Sequence, residues 1–413
     1  MILASFFKKI VLSGMDDMNE LLGGPQPFTR AQIVDPSQSF ADDASRRAAI
    51  ASSAETEIVN FVSNGSFVQE LPNDLGDTAI WQGVYTAMCV MRWCARPGDD
   101  TQALMLQAAT AMSKYFYTTP SLRTIAVRGA FPSSLQGDKS NGGSGLFHVD
   151  PGNAIQYFTD GAYTYREQAS LDSLMGLMFG AAIINRFGDA PSKSVLAGPL
   201  TAFSKSFTAA GYNITNRDGS VTKYGNCAPG FTQAPVRILA ATLPSLVAGL
   251  TDWQVLAKNY APEFSTTDTQ IPGKISYVNA DLSILASLAY ACAAPAGAPG
   301  LSSVVSGLKS LMGKYADSGN SFLIYACARL GIKPSLGQMA KAAKVLNEFP
   351  IGPKPQISLS TDNVDSLQPV PVWQRVQSDV IWQRSPYPFY GKEYYNQYNR
   401  MDFLIAHYLS LGR

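Results

Sequence analysis

Apolar residues recur at three- and four-residue spacing from Asp42 nearly to the last residue, a period that predicts helices with one or more buried faces. Twelve such segments fall near 42–63, 77–95, 101–117, 169–187, 194–208, 232–250, 252–260, 280–293, 302–315, 319–330, 335–347 and 400–411, which makes six pairs. Several starts carry a residue able to accept from a first-turn amide: Asp77 before Thr-Ala-Ile-Trp, Ser170 before Leu-Asp-Ser-Leu, Asp281 before Leu-Ser-Ile-Leu and Ser335 before Leu-Gly-Gln-Met. Glycine or proline closes others, as in Arg96-Pro-Gly, Phe187-Gly-Asp and Leu330-Gly-Ile-Lys-Pro. The second members of several pairs are rich in small residues, for example Leu285-Ala-Ser-Leu-Ala-Tyr-Ala-Cys and Ile324-Tyr-Ala-Cys-Ala. Helices that are apolar nearly all round, with Ala and Gly faces, belong in a closely packed interior.

The stretches between these segments are of a different kind. Residues 1–40 begin with a short amphipathic run, break at Gly23-Gly24-Pro25 and continue as an extended polar arm that is a candidate docking segment. Residues 118–168 form a long insertion containing Ser140-Asn-Gly-Gly-Ser-Gly and then the aromatics Tyr157, Phe158, Tyr163 and Tyr165. Within 209–231, residues 211–225 read as a hairpin turning at Asp218-Gly219. Residues 349–399 are rich in proline and aromatics, including Trp373, Trp382, Tyr387 and Tyr390. Loops this long inside a domain are usually either functional or disordered. The economical expectation is an all-α fold: an (α/α)6 toroid of helical hairpins over 41–413, small-residue helices inside, with the three insertions gathered at one mouth. An α-solenoid or a plain bundle satisfies the same periodicity.

The chemistry at that mouth falls to a few residues. Asp74 and Asp77 precede a helix on which Trp81 and Tyr85 stand four apart on one face. An aromatic floor beside carboxylates suits a sugar, whose C–H face stacks on rings while its hydroxyls bond to acids. The competing reading makes Asp77 an N-cap and Trp81 and Tyr85 core. Glu167 and Asp172 flank the start of the 169–187 helix and supply a second candidate carboxylate for glycoside hydrolysis, which needs an acid and a base or nucleophile roughly 5–10 Å apart. Against this stands ion pairing with Arg166 and ordinary placement of acids at a helix start. A lyase needs instead a His or Tyr base and a cation for a uronate carboxylate. His148, in the glycine-rich insertion, is the candidate base, with a solvated loop histidine as its competing reading, and Arg384, two residues after Trp382, the candidate cation; Trp382, Arg384 and Tyr390 complete the aromatic and acidic mouth expected to recognise a carbohydrate.

Four local patterns carry a family resemblance: Asn73-Asp-Leu-Gly-Asp-Thr-Ala-Ile-Trp-Gln-Gly-Val-Tyr, Ser170-Leu-Asp-Ser-Leu-Met-Gly-Leu-Met-Phe-Gly, Trp382-Gln-Arg-Ser-Pro-Tyr and the terminal Met401-Asp-Phe-Leu-Ile-Ala-His-Tyr-Leu-Ser-Leu-Gly-Arg. Together they resemble the helical toroid (six-hairpin) domains of bacterial carbohydrate-active and related uncharacterised proteins, over roughly 42–413. The resemblance implies the toroid fold and a carbohydrate ligand. A fold by itself does not fix an activity.

Composition narrows the classes. Lys and Arg number 32 against 31 Asp and Glu, a net charge of +1, so no global field favours nucleic acid or an anionic membrane. Charged residues are 15% and apolar residues 46% of the chain, outside the range of disordered sequences. There are only two histidines, His148 and His407, and no His or Cys spacing has the form of a metal site, so neither metal nor other cofactor is expected. The five cysteines read as reduced. The longest apolar run, Leu174 to Ile184, is 11 residues against the roughly 18 that a bilayer requires, so no membrane span is expected. A lysine pair lies inside the apolar N-terminal run and not before it, which argues against a cleaved signal peptide. Phosphate loops, dinucleotide fingerprints and nucleophile elbows are missing from the sequence.

Two functions from different classes follow. One is a carbohydrate-recognising protein, such as a phage tail or fibre component meeting host surface glycan, with hydrolase or lyase activity left open. The other is a non-catalytic structural or assembly protein of a virion or other large particle, docked through residues 1–40. The location expected is a virion or the extracellular space, with the cytoplasm as runner-up.

Overall fold

The computed structural model describes residues 42–58, 62–63, 67–68, 78–133, 157–228, 235–261, 264, 277–349, 369, 372 and 401–412. They contain helices α1 (Asp43–Ile58), α2 (Ala79–Ala95), α3 (Asp99–Ser113), α4 (Leu171–Phe187), α5 (Ala190–Ala209), α6 (Pro235–Val247), α7 (Trp253–Tyr260), α8 (Tyr277–Ala293), α9 (Leu301–Lys314), α10 (Ser321–Arg329), α11 (Leu336–Glu348) and α12 (Met401–Leu411). Each of the twelve periodic segments overlaps one of these helices. Side-chain caps fix several starts: Ser170 and Ser335 each form a reciprocal capping box with the residue three positions on, and Asp189 and Asn320 accept from the amides of Ser192 and Leu323. Two starts differ from expectation. Thr78 stands at the start of α2 without a side-chain cap bond, and α8 begins at Tyr277, a turn before Asp281.

The all-α expectation is overturned by seven strands of three or more residues in three antiparallel sheets. Strands β3 (Phe116–Thr118) and β4 (Thr124–Ala126) pair; β5 (Gly129–Pro132), β7 (Tyr163–Arg166) and β6 (Tyr157–Asp160) form a sheet in the order β5-β7-β6; β8 (Asn213–Thr215) and β9 (Val221–Asn226) form the expected hairpin. A further two-residue pair joins β1 (Val62–Ser63) to β2 (Phe67–Val68). The stretch 118–168, read as a loop, thus carries most of the β-structure. Its backbone amides and carbonyls find partners in ladders, which lets Ile125, Ala126, Ala130 and Phe131 be buried.

The toroid expectation is corrected as well. Helices α2, α4, α6, α8, α10 and α12 pack directly on one another, and α4 lies against α2, α6 and α8 together. Their shared interior is filled with side chains, including Trp81, Tyr290, Phe179 and Phe322 at 2% exposure or less. Where α2, α4, α8, α10 and α12 converge, an apolar void lined by Phe179, Ile183, Leu288 and Ile405 measures about 10 Å³, at the lower limit for a single water. The described residues therefore form a filled helical core with β-sheets attached, and no open central mouth is seen among them.

The closest contact in that core is between α2 and α4. Gly83 lies against the backbone of Gly176, and Gly180 against that of Gly83, so the two helices approach to a distance that no side chain permits. At the other edge, Glu55 of α1 accepts from Tyr408 of α12 and pairs with Arg92 (3.4 Å) and Arg96 (3.3 Å) at the end of α2. This ties the first and last described helices to the core. No described helix is long and apolar enough to cross a membrane.

Candidate functional site

The sheet β5-β7-β6 and the hairpin β8-β9 meet beside the N-terminus of α4. Asp160 and Tyr163 are paired across a two-residue turn in which Gly161 takes φ 57°, a left-handed conformation that glycine adopts without a steric penalty. Because side chains alternate along a strand, Tyr163 and Tyr165 of β7 share one face with their neighbours Phe158 and Asp160 of β6. Tyr117 of β3 joins them. Its ring centroid lies 4.8 Å from Phe158 and 4.8 Å from Tyr165, and Phe158 stacks on Tyr165 at 5.1 Å. Such pairs contribute about 0.5–1.5 kcal/mol each beyond the area they bury.

Polar groups rim this aromatic cluster. The Tyr117 hydroxyl donates to Asp160 (3.0 Å), and burial, reinforced by that bond, raises the phenol above its usual range. Burial pushes Tyr165 up to about 12. The Arg217 guanidinium lies 3.8 Å from the Phe158 ring centroid, a cation–π contact, and Lys114 lies 5.1 Å from that of Tyr163. Asp160 is exposed, Tyr163 is half-buried, and the Arg217 side chain is 39% exposed. The face therefore offers a ring edge, a carboxylate and a guanidinium to solvent on a rigid base.

That base is held by the segment between β7 and α4. Glu167, only 2% exposed, accepts from the Arg217 amide (2.6 Å) and pairs with its Nε (3.3 Å). Gln168 takes φ 65° and is held there by two bonds: its amide donates to Asn216 and its side-chain oxygen accepts from the Lys223 amide, both at 3.2 Å. Thr222 donates to the Ala169 carbonyl (2.7 Å), and Arg123 donates to the Arg217 carbonyl (2.6 Å). Described parts of the insertions at 118–168 and 209–231 thus come together, beside a filled core and not at the mouth of a ring. Of the third insertion, only Phe349, Pro369 and Val372 fall within the described residues.

The candidate residues from sequence separate into three groups. Trp81 and Tyr85 are core residues of α2, at 0% and 3% exposure, and burial holds the Tyr85 phenol well above its usual range. Glu167 belongs to the buried ion pair just described, and Asp172 is half-buried in the first turn of α4. Asp74, Asp77, His148, Trp382, Arg384 and Tyr390 lie outside the described residues, as does the arm at 1–40. Among the described residues no group of three or more His, Cys, Asp and Glu side chains could hold a metal ion. The four fully buried cysteines have thiols pushed up to about 12 by burial, which leaves them inert as nucleophiles.

Sequence reasoning had the aromatics 157–165 in view but missed Tyr117, Asp160 and Arg217. A signal was present: Asp160-Gly161 between Tyr-Phe-Thr and Tyr-Thr-Tyr is a hairpin pattern, and it places alternate aromatics on one face. No protein-family model, no curated protein and no solved structure matches this chain.

Proposed function

We propose that the protein binds a saccharide on the aromatic face of the β5-β7-β6 sheet and that it acts there as a binding protein. The observation that carries this reading is the clustering of Tyr117, Phe158, Tyr163 and Tyr165 beside exposed Asp160 and Arg217. A pyranose ring sets its C–H face on the Tyr163 edge of the cluster, and its hydroxyls donate to Asp160 and accept from Arg217. Stacked rings lose little side-chain entropy on binding, so a rigid aromatic base favours affinity. Binding without cleavage is supported by Glu167: its carboxylate is committed to Arg217 and to a backbone amide, which leaves it unsuited to proton transfer.

A glycan array followed by calorimetry tests this on the full chain. Tyr163→Ala and Asp160→Asn should each weaken binding at least tenfold; Asp160→Asn should leave stability within about 0.5 kcal/mol of the original, as expected of a surface change, while Tyr163→Ala, which also loses its contact with Tyr165, should cost about 0.5–1.5 kcal/mol and still fold. A chain that retains none of the array, or variants that bind as well as the original, would refute the proposal.

A further inference from the structure

Arg166 precedes Glu167 in the chain but stands on the other face of the sheet. It lies opposite Gly129 of β5 and Tyr157 of β6, and Thr164 lies opposite Phe131 and Thr159, so these residues share a face from which the tyrosine cluster is excluded. Hydroxyls form a row across that face: Ser133 to Thr164 at 3.2 Å and Thr159 to Thr164 at 3.0 Å. Arg166 is 5% exposed, and its Nε is buried without a hydrogen-bond partner. Among the described residues its guanidinium has no ion pair and no side-chain hydrogen bond.

Other arginines of the core region do have acceptors. Arg92 and Arg96 meet Glu55, Arg186 meets the carbonyls of Ala291 and Cys292, Arg237 meets that of Asn226, and Arg47 meets Asn347. Burying a charge without a partner is costly, and arginine, unlike histidine or lysine, does not escape the cost by losing its proton. The adjacent carboxylate of Glu167 is already used by Arg217. Among the described residues no acceptor with two oxygens meets Arg166, and Gly129, opposite it on β5, carries no side chain.

We infer that Arg166 anchors an oxyanion subsite on the hydroxyl face, taking a carboxylate or sulfate group of a ligand in a two-pronged hydrogen bond. The row through Ser133, Thr164 and Thr159 lies about 7 Å along the strand from Arg166, a sugar ring's length; Thr164 is buried, and exposed Thr159 and half-buried Ser133 at its two ends are the hydroxyls that meet the rest of an acidic saccharide. The subsite rests on the saccharide reading only for the source of the anion.

Thermal unfolding of the full chain tests it, with sodium glucuronate, sodium sulfate and glucose as probes and sodium chloride at matched ionic strength as control. A saturable rise in midpoint with glucuronate and sulfate is expected, with the half-saturating concentration at least tenfold higher in Arg166→Lys and the saturable rise gone in Arg166→Gln. Should Arg166→Gln fail to fold, Arg166→Lys carries the comparison, since it keeps the charge and loses the fork. Glucuronate saturating below sulfate assigns the anion to a sugar. A response to sulfate without one to glucuronate keeps the subsite and assigns its anion to a source other than a sugar. The subsite is overturned by a rise that never saturates, which excluded salts give to any protein, or by equal saturable shifts in the original chain and both variants.

Discussion

Replacing Gly83 with alanine adds one methyl group to the closest helix contact among the described residues. A Cβ built on Gly83 would sit 1.8 Å from the Gly176 carbonyl oxygen and 2.3 Å from its carbon, and one on Gly176 would sit 2.3 Å from the Ile80 Cα. All of these neighbours are backbone, so no side chain can rotate away. Restoring ordinary contact requires α2 and α4 to part by about 1.5 Å, and a gap of even 0.5–1 Å forfeits a quarter to a half of each dispersion contact along the seam. Trp81, Val84 and Ala87 of α2 and Leu177 of α4, all at 0% exposure, lie on or beside that seam. Overpacking of this kind costs about 1–3 kcal/mol or more, against a gain of about 1 kcal/mol from alanine's better helix propensity. Gly83→Ala is therefore expected to destabilise by about 2 kcal/mol or more. Gly198, exposed within α5 with nothing near its would-be Cβ, is the control: there Ala should stabilise by about 0.5–1 kcal/mol. Midpoints of urea unfolding at constant slope measure both. Equal effects of the two substitutions would refute the close approach of α2 to α4.

Three further outcomes are expected. His407, 3% exposed with neither ring nitrogen hydrogen-bonded among the described residues, has its pKa pushed down to about 4 by burial, with Arg96 and Arg47 adding to the effect. Because the unfolded imidazole titrates near 6.5, stability from this site is whole above that pH and is lost as pH falls toward 4, by about 2 kcal/mol at pH 5. His407→Phe, which keeps a ring stacked on Phe403, should flatten that slope in unfolding measured at pH 7 and pH 5. Glu167→Gln should cost about 1–3 kcal/mol, since the buried, charged acceptor of the Arg217 amide and Nε is lost, and unchanged stability would disprove the pairing of Glu167 with Arg217. Ser335→Ala removes the acceptor for the Gln338 amide (3.2 Å) and should cost about 1 kcal/mol in the same assay.

Helices were legible in this chain because each spans two turns or more, long enough for the 3.6-residue period to repeat. Strands of three to six residues give alternation too little length to register, and the three- and four-residue spacing of α3 (Met105, Ala108, Ala109, Met112) continues to Tyr115 and Phe116 across Ser113 and Lys114. That is why the segment near 101–117 ran a few residues past the true helix end at Ser113. The filled interior had a related cause. Small-residue helices were read as the wall of a cleft, but Gly83, Gly176 and Gly180 act by bringing two backbones together, which closes space. The aromatic site joins residues far apart in sequence: Tyr117 meets Asp160 across 43 positions and Glu167 meets Arg217 across 50. Local pattern carries no information on such pairings.

The adjacent charges Arg166 and Glu167 show how the strand assignment changes the chemistry. In a helix start or a loop the two would sit within reach of the same partners, and pairing of Arg166 with a neighbouring acid was the natural competing reading of the acids there. As the end of β7 and its following residue, they leave on opposite faces. Glu167 then finds Arg217 on the aromatic face, and Arg166 is left among hydroxyls with no ion pair among the described residues. A one-residue slip of β7 against β5 and β6 would exchange the two environments, setting a guanidinium beside Arg217 and a carboxylate in the hydroxyl row. Both proposed ligand contacts, aromatic and anionic, therefore depend on one register, and that register is fixed by the Asp160–Tyr163 turn. Substituting a β-branched residue for Gly161, whose φ is 57°, strains that turn, so Gly161→Val should weaken saccharide and oxyanion binding together while single changes at Tyr163 or Arg166 weaken only one.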